Sequence, residues 1–160
     1  ERVTFERLRA AAARDGVRQQ RLLVPVQLEL GPAGAEAAAA ERERLAAVGI
    51  DIEPFGPGVI SVKAVPALLA DAPVAELVRD ALDELAESEA AGDQSQRRLA
   101  VLSRMACHGS VRAGQALAEA EVRSLLEQVE AIDYGALCPH GRPVLVRFAR
   151  REVEHWFHRG

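Results

Sequence analysis

Two short runs, Ile50 to Phe55 and Val59 to Val65, are joined by Gly56-Pro57-Gly58. A glycine-proline-glycine turn between such runs makes them neighbouring antiparallel strands. Whatever else the chain does, it must therefore cover a hairpin. Its other segments show with what. Residues 1 to 15 carry Val3, Phe5, Leu8 and Ala12 at helical spacing, with Gly16 placed to end the helix in a left-handed conformation. Leu22 to Leu30 is apolar first and alternating later, which is a strand.

After Gly31-Pro32 an Ala/Glu/Arg-rich stretch is expected to run as one helix to Val48-Gly49, with Leu45, Val48 and several alanines as a thin apolar stripe. Asp71 and Pro73 are placed to cap and open a helix whose Val74, Leu77, Val78, Ala81, Leu82 and Leu85 share one face. Its other face, with Asp80, Asp83, Glu84, Glu87 and Glu89, reads as solvated rather than as a binding surface. Ala90-Ala91-Gly92-Asp93 is the best internal linker. From Gln94 to about Val111, Leu99, Val101, Leu102, Met105 and Ala106 lie on more than one side, as in a central buried helix. Residues 119 to 130 repeat Val122, Leu125, Leu126 and Val129 at i, i+3, i+4, i+7. Pro143 to Phe148 reads as a strand, and Val153, Trp156 and Phe157 face a last helix. The expectation is an α+β fold in two lobes.

At 160 residues the chain is about one domain long. A net charge of -4 argues against a domain that holds nucleic acid by bulk electrostatics alone, so any DNA contact would be local or supplied by a partner. No apolar run approaches the ~20 residues of a membrane span, so no membrane partner and a cytoplasmic location are expected. The chain opens at Glu1 without Met and reads as part of something longer. Its 2 cysteines cannot build a disulfide scaffold and, near histidines, point to metal.

The metal signal centres on Cys138-Pro139-His140-Gly141-Arg142-Pro143. A thiolate and an imidazole two residues apart, on a loop stiffened by prolines and turned at Gly141, present soft and borderline donors of the kind zinc takes. Cys107, the other cysteine, adds a third donor from the end of the buried helix. His108 follows it directly, but neighbouring helical residues point about 100° apart and cannot easily face one ion. His155 and His158 are expected to face solvent.

The run Ala106-Cys107-His108-Gly109-Ser110-Val111-Arg112-Ala113, the Cys138 to Pro143 loop, and Phe157-His158-Arg159 together resemble the C-terminal domain of the mismatch repair protein MutL, of the endonuclease-bearing type. Glu1-Arg2-Val3-Thr4-Phe5-Glu6 matches only the last six positions of that family's motif Asp-Gln-His-Ala-x-x-Glu-x-x-x-x-Glu. The family's Ala-Cys-Arg motif has His108 where Arg is usual. The resemblance implies metal ligation by Glu1, Cys107, Cys138 and His140, with Glu1 also the catalytic position. Glu6 belongs to the motif, but five helical steps turn it about 140° from Glu1, away from the same ion. The implied metals are Zn2+ in the sulfur-containing site, and Mn2+ or Mg2+ for nicking one DNA strand. Arg142 is a possible phosphate contact.

The resemblance divides the chain into residues 1–21 and 93–160, forming a dimerisation and endonuclease lobe from both ends, and an inserted regulatory α/β lobe, 22–92, with the hairpin. It implies homodimerisation, DNA and the mismatch-recognition protein MutS as partners, a bacterial, nucleoid-associated setting, and ATP binding in an N-terminal domain outside this chain. Without the upstream half of the acidic motif, the chain by itself is expected to bind zinc weakly or incompletely and not to nick DNA. The non-enzymatic alternative is a dimerisation and clamp-binding module with a structural zinc.

Gln20-Arg21-Leu22-Leu23-Val24-Pro25 fits Gln-x-x-Leu-x-Pro and resembles the sliding-clamp-binding motif found at this place in the same family, with Gln20, Leu23 and Pro25 as the contacting residues. From the residues alone, a buried strand ending at a proline is the commoner reading.

Overall fold

The computed structural model describes residues 1–88, 93–111, 114–132, 143, 146 and 148–158. Cys138, His140 and Arg142 lie outside these residues, as do most of the expected linker over 90–93 and half of the strand expected over 143–148. The architecture is α+β, as expected. A three-stranded antiparallel sheet has the order β1-β3-β2, with β1 Gln19–Glu29, β2 Asp51–Gly56 and β3 Val59–Pro66. The helices are α1 Arg2–Ala13, α2 Gly31–Ala40, α3 Arg42–Ala47, α4 Val74–Glu87, α5 Gln94–Ala106, α6 Glu119–Glu130 and α7 Arg150–Trp156. None of the helices among the described residues is long and apolar enough to cross a membrane.

The hairpin forms where the sequence demands it. Gly56 pairs with Val59 across Pro57-Gly58, and Gly58 takes φ +76°, as a proline-glycine turn requires. Gly58 also meets the far end of β1: its carbonyl accepts from the Leu30 amide at 2.9 Å. A Cβ on Gly58 would stand 2.9 Å from the Gly31 carbonyl carbon, a backbone atom that cannot step aside.

One continuous core joins sheet and helices. Phe5 and Leu8 of α1, Ile52 of β2, Ile60, Val62 and Val65 of β3, Leu77, Val78 and Ala81 of α4, and Val101, Leu102, Met105 and Ala106 of α5 are all buried in it. Each large aliphatic side chain so covered contributes about 1.5–3 kcal/mol relative to exposure. Helix α5 packs against both α1 and α4, which explains its apolar residues on more than one side.

Four local readings need correction. The strand expected from Leu22 begins earlier, at Gln19, and its middle leaves the sheet. Arg21 opposes Ala64 and Val26 opposes Val62, so the four residues Leu22 to Pro25 stand opposite Lys63 alone. Proline has no amide to donate and is tolerated on an edge strand or at a bulge, and β1 is an edge. The Ala-rich helix breaks at Glu41, whose φ of -89° and ψ of 4° end α2 and open α3. Arg44 grips both carboxylate oxygens of Glu41 at 2.6 and 2.8 Å and holds the corner.

Asp71 does not cap α4. Pro73 occupies the N-cap position without a side-chain bond, while the chain around Asp71 turns through Ala72, whose amide donates to Leu69. Finally, the acidic face of α4 is only partly a solvated face. Glu84 and Glu87 accept from Arg104 at 3.2 and 3.1 Å, and Asp80 meets His108.

Helix α6 forms as its periodicity predicts, with Glu121 accepting from the Ala118 amide at its start. None of its residues is buried; Val122 and Leu126 are exposed.

Replacing Gly58 by alanine is expected to cost more than about 1 kcal/mol, through the positive φ and the backbone clash. Gly56→Ala, at a position with open space and no positive φ, should change stability by less than about 0.5 kcal/mol. Urea unfolding of the two variants checks the contrast.

Candidate metal centre

Glu1 sits at the N-cap of α1, and its carbonyl accepts from the Phe5 amide at 2.9 Å. Cys107 opens a 3-10 turn, Cys107–Gly109, that continues α5. Because α1 and α5 pack together, residues 106 positions apart in sequence come into contact: the Cys107 thiol lies 3.5 Å from a Glu1 carboxylate oxygen. Both residues are exposed. A soft donor and a hard donor thus share one surface site.

Although Cys107 is solvent-accessible, packing around its sulfur pushes the thiol up to about 11. The negative charge of Glu1, the bond to its carboxylate and the charge of Asp80 act in the same direction. Only the N-terminal ammonium acts the other way, and a positive ion beside the pair would likewise relieve its crowding of negative charge. Residues of this chemistry fit a divalent metal.

The other expected ligands, Cys138 and His140, lie outside the described residues, and so does Arg142. Among the described residues no group of three or more His, Cys, Asp or Glu side chains is gathered closely enough to hold an ion. Glu6 is engaged elsewhere, paired with Arg2 at 2.7 Å and Arg9 at 2.6 Å. His155 and His158 are exposed. His108 points to α4, where its Nε2 lies 2.8 Å from Asp80. Asp80 is the residue near this site that sequence reasoning missed. Its signal was present as a ladder: Asp80, Glu84 and Glu87 fall on one stripe of α4, while Arg104 and His108, four apart, stand at the end of α5.

The segment Gln20 to Pro25 is described in full. Gln20, Leu23 and Pro25 are all exposed; Leu23 is 104% and Val24 77% exposed relative to the free residue.

Residues 1–117 match the family model described as the MutL C-terminal dimerisation domain. The chain belongs to that family. Curated relatives carry the same signal over nearly the whole chain. A DNA mismatch repair protein MutL of Phenylobacterium zucineum is 45% identical over 159 residues, covering 99% of this chain and 26% of the relative. The MutL of Azorhizobium caulinodans is 46% identical over 159 residues, 99% of this chain and 25% of its own length. That of Xylella fastidiosa strain 9a5c is 41% identical over 160 residues, 100% of this chain and 26% of its own. The chain thus spans about a quarter of the length of these MutL proteins.

Proposed function

We propose that this MutL-family domain serves DNA mismatch repair as a homodimerising module with a metal-dependent endonuclease site, docked on DNA through a sliding clamp. The contact between Glu1 and Cys107 carries the metal reading. Two of the four residues that the family resemblance nominates as ligands, from opposite ends of the described core, stand side chain to side chain. Cys138 and His140 complete the set. The thiolate and imidazole suit zinc, while the Glu1 carboxylate suits a harder ion such as Mn2+ or Mg2+. A divalent ion held there supplies charge neutralisation at a scissile phosphate and an activated water. Glu1 orients and retains it, and Arg142 contacts the phosphate. MutS and DNA belong to the same reading as partners.

In the protein extended upstream to include the rest of the acidic motif, manganese-dependent nicking of a plasmid is expected, and Glu1→Ala should abolish it without unfolding the domain. The 160-residue chain alone should not nick. Metal analysis should find zinc that falls on Cys107→Ser. Zinc unchanged by that substitution would overturn the site; zinc retained with no nicking in any form would favour the structural-zinc alternative.

The clamp reading is supported by the bulge at Leu22 to Pro25. Leu23 and Val24 stand out together where β1 leaves its pairing, in an extended segment whose side chains are free to enter pockets of a partner. Docking on a ring that encircles DNA also answers the acidic charge of the domain, since a tether raises local concentration without a basic face. Gln20→Ala with Leu23→Ala is expected to weaken affinity for the replicative clamp at least tenfold, about 1.4 kcal/mol, with thermal stability unchanged. Unaltered affinity would sink the idea.

The apolar side of α6 supports dimerisation: Val122, Leu125, Leu126 and Val129 repeat as for a packed helix, yet among the described residues Val122 and Leu126 are exposed and Leu125 and Val129 only half-buried. A second copy is the occupant proposed. Val122→Glu with Leu126→Glu should shift sedimentation from dimer to monomer; a dimer that persists would place the interface elsewhere.

A further inference from the structure

The turn that carries Cys107 is fastened by its neighbours. The His108 side chain is only 6% exposed, although it follows an accessible cysteine. Its Nε2 meets Asp80 Oδ2 at 2.8 Å, tying the end of α5 to the middle of α4. Gly109 lies flush against two other elements: a Cβ there would stand 2.5 Å from Leu69 Cδ2 and 3.2 Å from Thr4 Cγ2. The Ser110 hydroxyl donates back to the Ala106 carbonyl at 2.7 Å. Of these fastenings only His108 reaches a charged group on another helix.

The imidazole is not placed for stability alone. Its Nδ1 is buried and has no hydrogen-bond partner among the described residues. A buried polar atom in that state is destabilising. An apolar side chain of similar size would fill the space without that cost but could not bond Asp80. What the histidine adds is direction. The bond ties the turn to α4 at the residue next to Cys107, whose thiol lies against Glu1.

We propose that His108 is a positioning residue, held by Asp80 so that the turn presents the Cys107 sulfur to Glu1. The proposal deepens the metal reading above and rests on it. Partners that orient a ligand from outside the coordination sphere typically change metal affinity about 10–100-fold.

The test uses Co2+ as the probe and reads the thiolate-to-cobalt charge-transfer band. His108→Ala and Asp80→Ala should each weaken cobalt binding at least tenfold, and the double variant should be no weaker than either single one, because both remove one interaction. Asp80→Asn, which keeps an acceptor for Nε2, should remain close to wild type. A purely structural role would instead lower thermal stability and leave cobalt affinity unchanged, which would overturn the proposal. A second, metal-free readout is amide hydrogen exchange. His108→Ala should speed exchange at Cys107 and Ser110 at least tenfold while Val101 and Leu102 stay protected; unchanged exchange at the turn overturns the proposal. Should His108→Ala fail to fold, Asp80→Ala carries both comparisons, since Asp80 is 41% exposed and its truncation leaves no core cavity. If the wild-type protein shows no thiolate band, the metal reading falls by itself, and the exchange comparison still decides whether His108 holds the turn.

Discussion

The packing of α5 between α1 and α4 is the constraint on which the rest depends. Val101, Leu102, Met105 and Ala106 are buried there, and the hydrophobic contribution of four such residues outweighs any single polar contact nearby. That packing sets where α5 ends, and Cys107 is the next residue. It also sets where α1 begins, because Phe5 and Leu8 lie in the same core, and Glu1 is one turn earlier. The polar pair is a consequence of apolar burial at two helix ends. The apolar faces that pack set the approach of α4 to α5, and polar contacts mark the same register: Glu84 and Glu87 on Arg104, and Asp80 on the buried His108 side chain. The partly exposed Arg104 pairs add little stability, but a slipped helix pair would leave their charges unpaired.

The sheet obeys the opposite division of labour. Its central strand β3 is paired on both sides, with most of its residues buried, so its register is fixed strongly. The edge strand β1 can then give up pairing in its middle without loosening the core. Pro25 ensures that it does, and Leu23 and Val24 are left facing water. An exposed apolar edge is an aggregation hazard unless it is short or twisted away. Here the same device that interrupts the edge also presents the apolar side chains as a discrete point.

How far the sequence discloses this structure depends on the range of the forces involved. The hairpin was legible because a turn is decided by a few adjacent residues, and α4 and α6 because helical periodicity shows within a dozen. The break at Glu41 was not, since the Arg44 carboxylate grip looks like any i, i+3 pair inside a continuous helix. Nor was the bulge, because Leu22 to Pro25 is as apolar as a buried strand, and only the pairing with β3 shows four residues set against Lys63. For the site, Cys107 was legible as a donor at the end of a helix. Its meeting with Glu1 came from the family resemblance, as no spacing rule links residues so distant. Asp80 was read as one member of a solvated face, although the matching basic ladder on α5 was in view.

The Glu1 and Cys107 contact has a consequence for how a metal would enter. A thiol must lose its proton to serve as a ligand, and here burial and two carboxylates oppose that loss. Those same carboxylates attract a divalent cation, so the proton and the ion compete for one set of charges. The thiol is therefore harder to ionise than a free cysteine, and a divalent cation, were one held there, would reverse the sign of the local field. A lone cysteine on a polar surface would be more readily oxidised or alkylated, since the thiolate is the reactive form. Placing the sulfur against Glu1 disfavours the thiolate, so this cysteine is less reactive than one on an open polar surface.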